Sequence, residues 1–265
     1  MAAFTEISPS NLMRLIGTPQ CPILVDVCID DDHDDDPYLI PTAFRHAHHD
    51  PAGLTARVAG REVVVICQKG AKLSHGVAAS LRANGVNAQV LSGGNHGWRD
   101  AKLPRVPAAA IPGNQWVTRH RPKIDRIACP WLIRRFVDPG ATFLFVPPAE
   151  VTAVAERFNA TPFDIEDTFW SHRGDACTFD TMIAEFGLSH PALDALATVV
   201  RAADTNRHDQ SPQAAGLLAL SVGLSRMYKD DNAQLAAGMG LYDALYRWAR
   251  DGQSESHDWP ADRRV

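Results

Sequence analysis

The 265-residue chain has no excess of positive charge, few cysteines and no long apolar run, and each shortage excludes something. Lys and Arg number 26 against 31 Asp and Glu, a formal net charge of −5, so no nucleic-acid partner is expected. No apolar stretch approaches the roughly 18 residues of a membrane helix, so no membrane partner is expected either. The first residues, Met1-Ala2-Ala3-Phe4-Thr5-Glu6, lack a basic start and an apolar core, which predicts no secretory leader. The five cysteines are odd in number and scattered, which excludes a simple disulfide framework. The expected setting is the reducing cytoplasm, where thiols are reactive, ligating or buried. There is no internal repeat, no Cys-x-x-Cys pair and no His-Glu-x-x-His motif.

What is present is a globular composition, 45% hydrophobic and 22% charged, in a chain long enough for two cores. Pro104, Pro107, Pro112 and Gly113 crowd one short stretch and resist both helix and sheet. They divide the chain into a domain over 1–107, a linker over 108–115, a second domain over 116–252 and a polar, frayed tail over 253–265. Before the linker, apolar strands over Pro22–Val27, Glu62–Cys67 and Asn87–Leu91 alternate with a helix over Ser74–Asn84. Unbroken apolar strands separated by helices predict an α/β domain, a parallel sheet covered on both faces. After the linker, one strand over Ala141–Val146 precedes helices over Pro191–Ala203, Pro212–Tyr228 and Asp231–Arg250, a mainly α-helical domain. The last helix carries two apolar stripes and is expected to be buried on most sides, with Asp230 or Asp231 as its N-cap.

The segment Cys67-Gln68-Lys69-Gly70-Ala71-Lys72-Leu73-Ser74 follows a buried strand and opens a helix. A thiol there meets loop amides, the positive end of a helix dipole, and Lys69 and Lys72, all of which favour thiolate. Gly70 lets the loop curl into an anion cradle. The bland alternative is an inert cysteine at a strand end.

Residues 4–107 resemble the rhodanese family. The carrying motifs are the Cys67 loop, Leu24-Val25-Asp26-Val27, Ile40-Pro41-Thr42-Ala43, and Gly93-Gly94-Asn95-His96-Gly97-Trp98 followed by Leu103-Pro104. The resemblance implies a rhodanese-like fold and sulfur transfer through a persulfide on Cys67, with Asp26, Lys69, Gly70, Lys72 and Ser74 around the donor. The implied partners are a small sulfur donor, thiosulfate or a persulfide, and a thiol acceptor; no cofactor is required. Where many rhodaneses have Arg, this loop has Lys72, which lacks a bidentate fork for sulfate-like groups, so thiosulfate is expected to be a poor donor. Four residues separate Cys67 from Lys72, one fewer than the Cys-x5-Arg loop of the related phosphatases, which disfavours phosphate chemistry. Cys28 follows the Asp-Val pair; it is either a resolving thiol for oxidised Cys67 or, more simply, a small residue at a strand end.

In the second domain, Pro130 suits the first turn of a helix, which would set Cys129 near a helix N-terminus with Lys123, Arg126 and Arg134 around it, an oxyanion or thiolate site. The alternative is a core cysteine beneath solvated cations. His172 and Cys177 could supply metal ligands, completed by Cys129 or by an acid such as Asp204, as a transition-metal site. Thr178 could instead cap a helix over Phe179–Phe186. The acidic run Asp30–Asp36 with His33 reads as a solvated loop.

Residues 116–250 resemble the C-terminal domain of the chromate-resistance protein ChrB family. The resemblance is carried by Arg121-Pro122-Lys123-Ile124-Asp125-Arg126-Ile127-Ala128-Cys129-Pro130-Trp131, His172-x4-Cys177-Thr178-Phe179-Asp180, Val200-Arg201-Ala202-Ala203-Asp204-Thr205, Pro212–Leu217 and Leu241–Tyr246. It implies a role in chromate resistance or sensing, with chromate as a partner. Two readings stand: a sulfurtransferase acting through Cys67, or a non-enzymatic chromate or metal-binding sensor whose first domain is an inactive docking module.

Overall fold

The computed structural model describes residues 5–255. The expected frayed tail falls outside them from residue 256 onward.

In chain order the first half runs β1 (Glu6–Ile7), α1 (Pro9–Met13), β2 (Ile23–Asp26), α2 (Asp30–Asp35), β3 (Tyr38–Leu39), β4 (Phe44–Arg45), α3 (Pro51–Val58), β5 (Val63–Ile66), α4 (Lys72–Ala83), β6 (Ala88–Leu91), α5 (Gly94–Asp100) and β7 (Val106–Pro107). Five strands form a wholly parallel sheet in the order β1-β6-β5-β2-β4, while β3 and β7 pair antiparallel beside it. The unbroken apolar strands are explained by burial on both faces. Leu24, Val64 and Ile66 face Leu12, Ile16 and Trp98, whereas Val25, Val63 and Val65 face Leu54 and Val58 of α3 and Val77 and Leu81 of α4. Each such side chain contributes about 1.5–3 kcal/mol by leaving water.

The acidic run departs from expectation: Asp30–Asp35 is helical. Three aspartates in its first turn complement the helix dipole, and Asp30 pairs with Arg45 at 2.8 Å.

The second half runs β8 (Gln115–Arg119), α6 (Asp125–Leu132), β9 (Thr142–Val146), α7 (Val151–Phe158), β10 (Thr161–Pro162), α8 (Thr178–Glu185), α9 (Pro191–Asp204), α10 (Ala214–Met227) and α11 (Asp231–Arg247). Besides the expected β9, a small parallel sheet β10-β8-β9 appears, built partly from the Trp116 motif. Asp230 caps α11, its Oδ1 accepting from the Ala233 N–H at 2.7 Å. The helix is less enclosed than its two stripes suggest. Leu235, Tyr242 and Tyr246 are buried, but Leu241, Leu245 and Trp248 are only partly covered.

Helix α6 also corrects the reading of Pro130. The helix starts at Asp125, five residues earlier, so Cys129 and Pro130 lie inside it rather than in its first turn. Ile124, at φ 39°, makes the sharp turn that begins it. Proline costs the helix a backbone hydrogen bond. Burial of Ile127 through Ile133 offsets that loss.

Residues 108–115 hold a 3-10 turn over Ala108–Ala110 and the first residue of β8, and Ala110 and Ile111 pack on the core. One apolar cluster runs from Ile16 and Trp98 to Trp131, Phe136 and Tyr246, joining the two halves. The Thr42 N–H donates to Phe136 O at 3.0 Å, and Arg250 Nη1 donates to Arg14 O at 2.7 Å. Gly17, at φ 81°, lies against the Phe136 and Tyr246 rings, where a Cβ has no room.

Candidate functional site

Two constellations of polar groups stand out, one in each half. The first is the loop between β5 and α4. Cys67 directly follows β5 and is 4% exposed. Its Sγ accepts from the Ala71 N–H at 3.3 Å and lies 3.1 Å from Ser74 Oγ. The Ser74 hydroxyl is also 3.1 Å from Ala71 O, so its one proton has two takers.

The loop is clamped from behind by the start of α5. The Asn95 N–H donates to Cys67 O at 3.0 Å and the His96 N–H to Gln68 O at 2.9 Å. Gly70, at φ 62°, and Gly94, at φ 57°, make this approach sterically feasible. A Cβ on Gly70 would sit 2.7 Å from Gly94 N, and one on Gly94 would overlap Cys67 O.

The remaining residues expected around Cys67 take different roles. Asp26 is buried: its Oδ1 accepts from the Cys28 N–H at 2.8 Å and its Oδ2 from Asn95 Nδ2 at 2.9 Å. It ties β2 to α5 and so positions the clamp. Lys69 and Lys72 are exposed. Cys28 is a free, buried thiol that accepts from Asn95 Nδ2 at 3.4 Å. Burial, and then the Asp26 carboxylate, push it far above the ordinary thiol range. A thiol held neutral in this way is a poor resolving nucleophile.

The second constellation gathers segments far apart in sequence: the start of α6, the loop after β10, the loop before α8 and the end of α9. Asp125 is fully buried at the first turn of α6. Its Oδ2 accepts from the N–H groups of Thr178 at 2.6 Å and Phe179 at 3.3 Å, so it satisfies the N-terminus of α8. Its Oδ1 has no hydrogen-bond partner among the described residues. Asp164 accepts from Thr178 Oγ1 at 2.8 Å and pairs with Arg119 and Arg126, each at 3.3 Å. His172 Nε2 lies 3.2 Å from Asp204, 3.5 Å from Asp164 and 3.6 Å from Asp125.

Burial, then Asp204 and Asp164, raise the Asp125 carboxyl well above its ordinary range. The hydrogen bonds to Asp164 and Asp204 hold His172 up to about 10.

The metal quartet expected from the sequence is therefore reassembled. His172 and Asp204 are in contact, but Cys129 and Cys177 belong to no group of three close potential ligands among the described residues. Both thiols are fully buried, and burial followed by Asp125 raises them far above the ordinary thiol range. Cys177, not Thr178, is the N-cap of α8, and its N–H donates to Asp180 Oδ2 at 2.9 Å. Neither cysteine is placed to act as a thiolate.

A family model described as "ChrB, C-terminal domain" matches residues 116–249, half of the chain. The chain belongs to the ChrB C-terminal domain family. Protein ChrB of Cupriavidus metallidurans is 33% identical over 145 residues, 54% of this chain and 43% of that protein. The chain thus spans less than half the length of the curated relative it matches. Among solved structures, a rhodanese-like domain protein from Staphylococcus aureus is 25% identical, with TM-score 0.32, over 36% of this chain and 90% of its own. A thiosulfate sulfurtransferase from Pseudomonas aeruginosa is 23% identical, with TM-score 0.33, over 38% of this chain and 19% of its own. Likenesses at that level carry no argument by themselves; the α/β architecture of the first half stands on its sheet order and loop geometry.

The ChrB-family half holds the whole second constellation. Two of its members, Asp125 and Asp164, were not picked out in the sequence. Asp125 lies within the Asp-Arg-Ile-Ala-Cys-Pro run, beside a cysteine and a cation that carry the stronger local signal. Asp164 had no local signal beyond following a strand. Of the expected cations, Arg126 reaches this site. Arg134 does not: it donates to Ala141 O at 3.1 Å and borders a cavity of about 250 Å³ between the halves. Lys123 is half-buried on the turn before α6.

Proposed function

We propose that this ChrB-family chain is a rhodanese-type sulfurtransferase that carries sulfur as a persulfide on Cys67, in the service of chromate resistance. The observation that carries the reading is the polar cradle at one sulfur atom. The Ala71 N–H at 3.3 Å and the Ser74 hydroxyl at 3.1 Å meet Cys67 Sγ at the start of α4. An amide N–H aimed at the sulfur, with a hydroxyl that can turn to it, can support charge there during transfer.

With thiosulfate as donor, the Cys67 thiolate attacks the outer, sulfane sulfur. A Cys67–sulfur bond forms, the donor's sulfur–sulfur bond breaks, and its electron pair leaves on sulfite. An acceptor thiolate then attacks the terminal sulfur of protonated Cys67-S-SH. The acceptor leaves as a persulfide and the Cys67 thiolate returns, so no net oxidant is needed. The same groups meet the charge on sulfur before and after transfer. Asp26 and Asn95 hold the clamp that keeps the loop closed.

One observation favours the non-enzymatic alternative, a chromate or metal sensor with an inactive first half. Cys67 is only 4% exposed, and Lys69 and Lys72 face solvent. Intact-protein mass spectrometry after incubation with thiosulfate or a low-molecular-weight persulfide separates the two readings. The enzyme reading expects a reducible gain of about 32 Da, one sulfur atom, that is absent in Cys67→Ser. No gain with either donor would leave the sensor reading in its place.

A further inference from the structure

The Asp125, Asp164 and His172 cluster has the ligand set of a cation site, one imidazole and two carboxylates. Its three ligand atoms all lie within 4.8 Å of one another. The separations from His172 Nε2 to Asp164 Oδ1, 3.5 Å, and to Asp125 Oδ2, 3.6 Å, are close to those of neighbouring ligands on one ion. Ligands about 2.0–2.2 Å from a first-row metal stand roughly 3–3.5 Å apart. Asp204 Oδ2, 3.2 Å from the same nitrogen, adds a third carboxylate at the rim.

Arg119 and Arg126 both turn to Asp164 Oδ2, so His172 is the basic group that faces Asp125 and Asp204 among the described residues. Asp125 is the decisive residue. It is 0% exposed, and its Oδ1 has no hydrogen-bond partner among the described residues, although a buried carboxylate oxygen ordinarily finds one. Its Oδ2, fixed by the N–H groups of Thr178 and Phe179 at the start of α8, is the oxygen that lies 3.6 Å from His172 Nε2.

The surroundings resemble the supporting groups of built metal sites, in which ligating carboxylates are themselves hydrogen-bonded. Thr178 Oγ1 holds Asp164 Oδ1, and its N–H holds Asp125 Oδ2. The His172 side chain is 41% exposed, which opens the cluster to solvent on one side.

We propose that Asp125, Asp164 and His172 bind one divalent first-row transition cation of the nitrogen- and oxygen-ligated class, such as Mn2+ or Fe2+, with Asp204 completing the charge. The assigned ligands are nitrogen and oxygen only, because neither Cys129 nor Cys177 is among the grouped ligand atoms. The site is independent of Cys67 chemistry, so either reading can fail without the other.

The test uses the full-length chain, stripped with a chelator and titrated with Mn2+ while free Mn2+ is followed by electron paramagnetic resonance. One Mn2+ per chain is expected. His172→Ala should weaken binding at least tenfold. Asp125→Asn, which keeps an oxygen for the α8 N–H groups, should do the same while circular dichroism shows the fold intact. Cys67→Ser and the double variant Cys129→Ser/Cys177→Ser should bind as the parent does. Mg2+ should compete at least tenfold more weakly than Mn2+, because an imidazole ligand disfavours it. Substoichiometric binding by the folded parent, or parental affinity in both His172→Ala and Asp125→Asn, would overturn the site. Equal competition by Mg2+ would overturn its assignment to a transition cation.

Discussion

Replacing Gly94 by alanine probes whether the Cys67 loop depends on backbone-to-backbone packing. Gly94 opens α5 at φ 57°, and a Cβ there overlaps Cys67 O and crowds Gly70 N, which are main-chain atoms with no flexible end to swing aside. A left-handed alanine costs about 1–2 kcal/mol. Relieving the overlap requires the loop and α5 to separate, which breaks the bonds from Asn95 N to Cys67 O and from His96 N to Gln68 O. Each is worth about 0.5–1.5 kcal/mol, so the whole loss is about 2–5 kcal/mol. Two other glycines supply controls. Gly85, at φ 80° with nothing within 4 Å of a Cβ, isolates the backbone term, and Gly85→Ala should cost about 1–2 kcal/mol. Gly76, on the exposed face of α4 with equal room, should gain about 0.5–1 kcal/mol as alanine. Urea unfolding of the three variants gives the energies, and sulfur acceptance measured by intact mass gives the function. Gly94→Ala alone should lose the Cys67 persulfide. If it matches Gly85→Ala in stability and still takes up sulfur, the clamp is not what shapes the loop.

Two further outcomes follow from the same structure. Ser74→Ala removes a hydroxyl that can turn from Ala71 O to an anionic Cys67 sulfur. A bond to a charged group is worth about 1 kcal/mol more than a neutral one, so alkylation of Cys67 at pH 7 should slow about fivefold; an unchanged rate removes Ser74 from thiolate support. His190 concerns stability. Burial lowers its proton affinity, and its ring nitrogens lie 3.0 Å from Leu188 O and 3.1 Å from the Tyr246 hydroxyl. Because the folded value lies below the unfolded one, the native state resists protonation. The stability from His190 is complete above about pH 6.5 and is lost as pH falls through the folded value. The parent should therefore lose stability relative to His190→Gln below that point, with a slope of at most about 1.4 kcal/mol per pH unit. Parallel stability curves for the two proteins would exclude the effect.

How much was legible in advance depended on the range of the interaction. Val63–Ile66 had to be buried on both faces because a run of β-branched residues has no polar side to offer water. Cys67-Gln68-Lys69-Gly70 at its end had to be a loop between strand and helix, and local order alone puts a thiol near helix amides. The long helices after residue 190 were equally local, since their apolar spacing and caps are properties of neighbouring residues.

Tertiary structure decided the rest. The start of α6 departs from the local expectation because burial of its residues tolerates a proline that local preference places in the first turn. The linker's composition did not reveal that Ala110 and Ile111 enter a core shared by both halves. The metal quartet was regrouped for the same reason. Spacing brought Cys177 and His172 to notice, whereas Asp125 and Asp164, 39 residues apart, meet only through the packing of α6 against α8 and the loop after β10. Amino-acid order determined which thiol stands at a helix start, because that requires only near neighbours. Which carboxylates share one imidazole was decided by packing between elements distant in the chain.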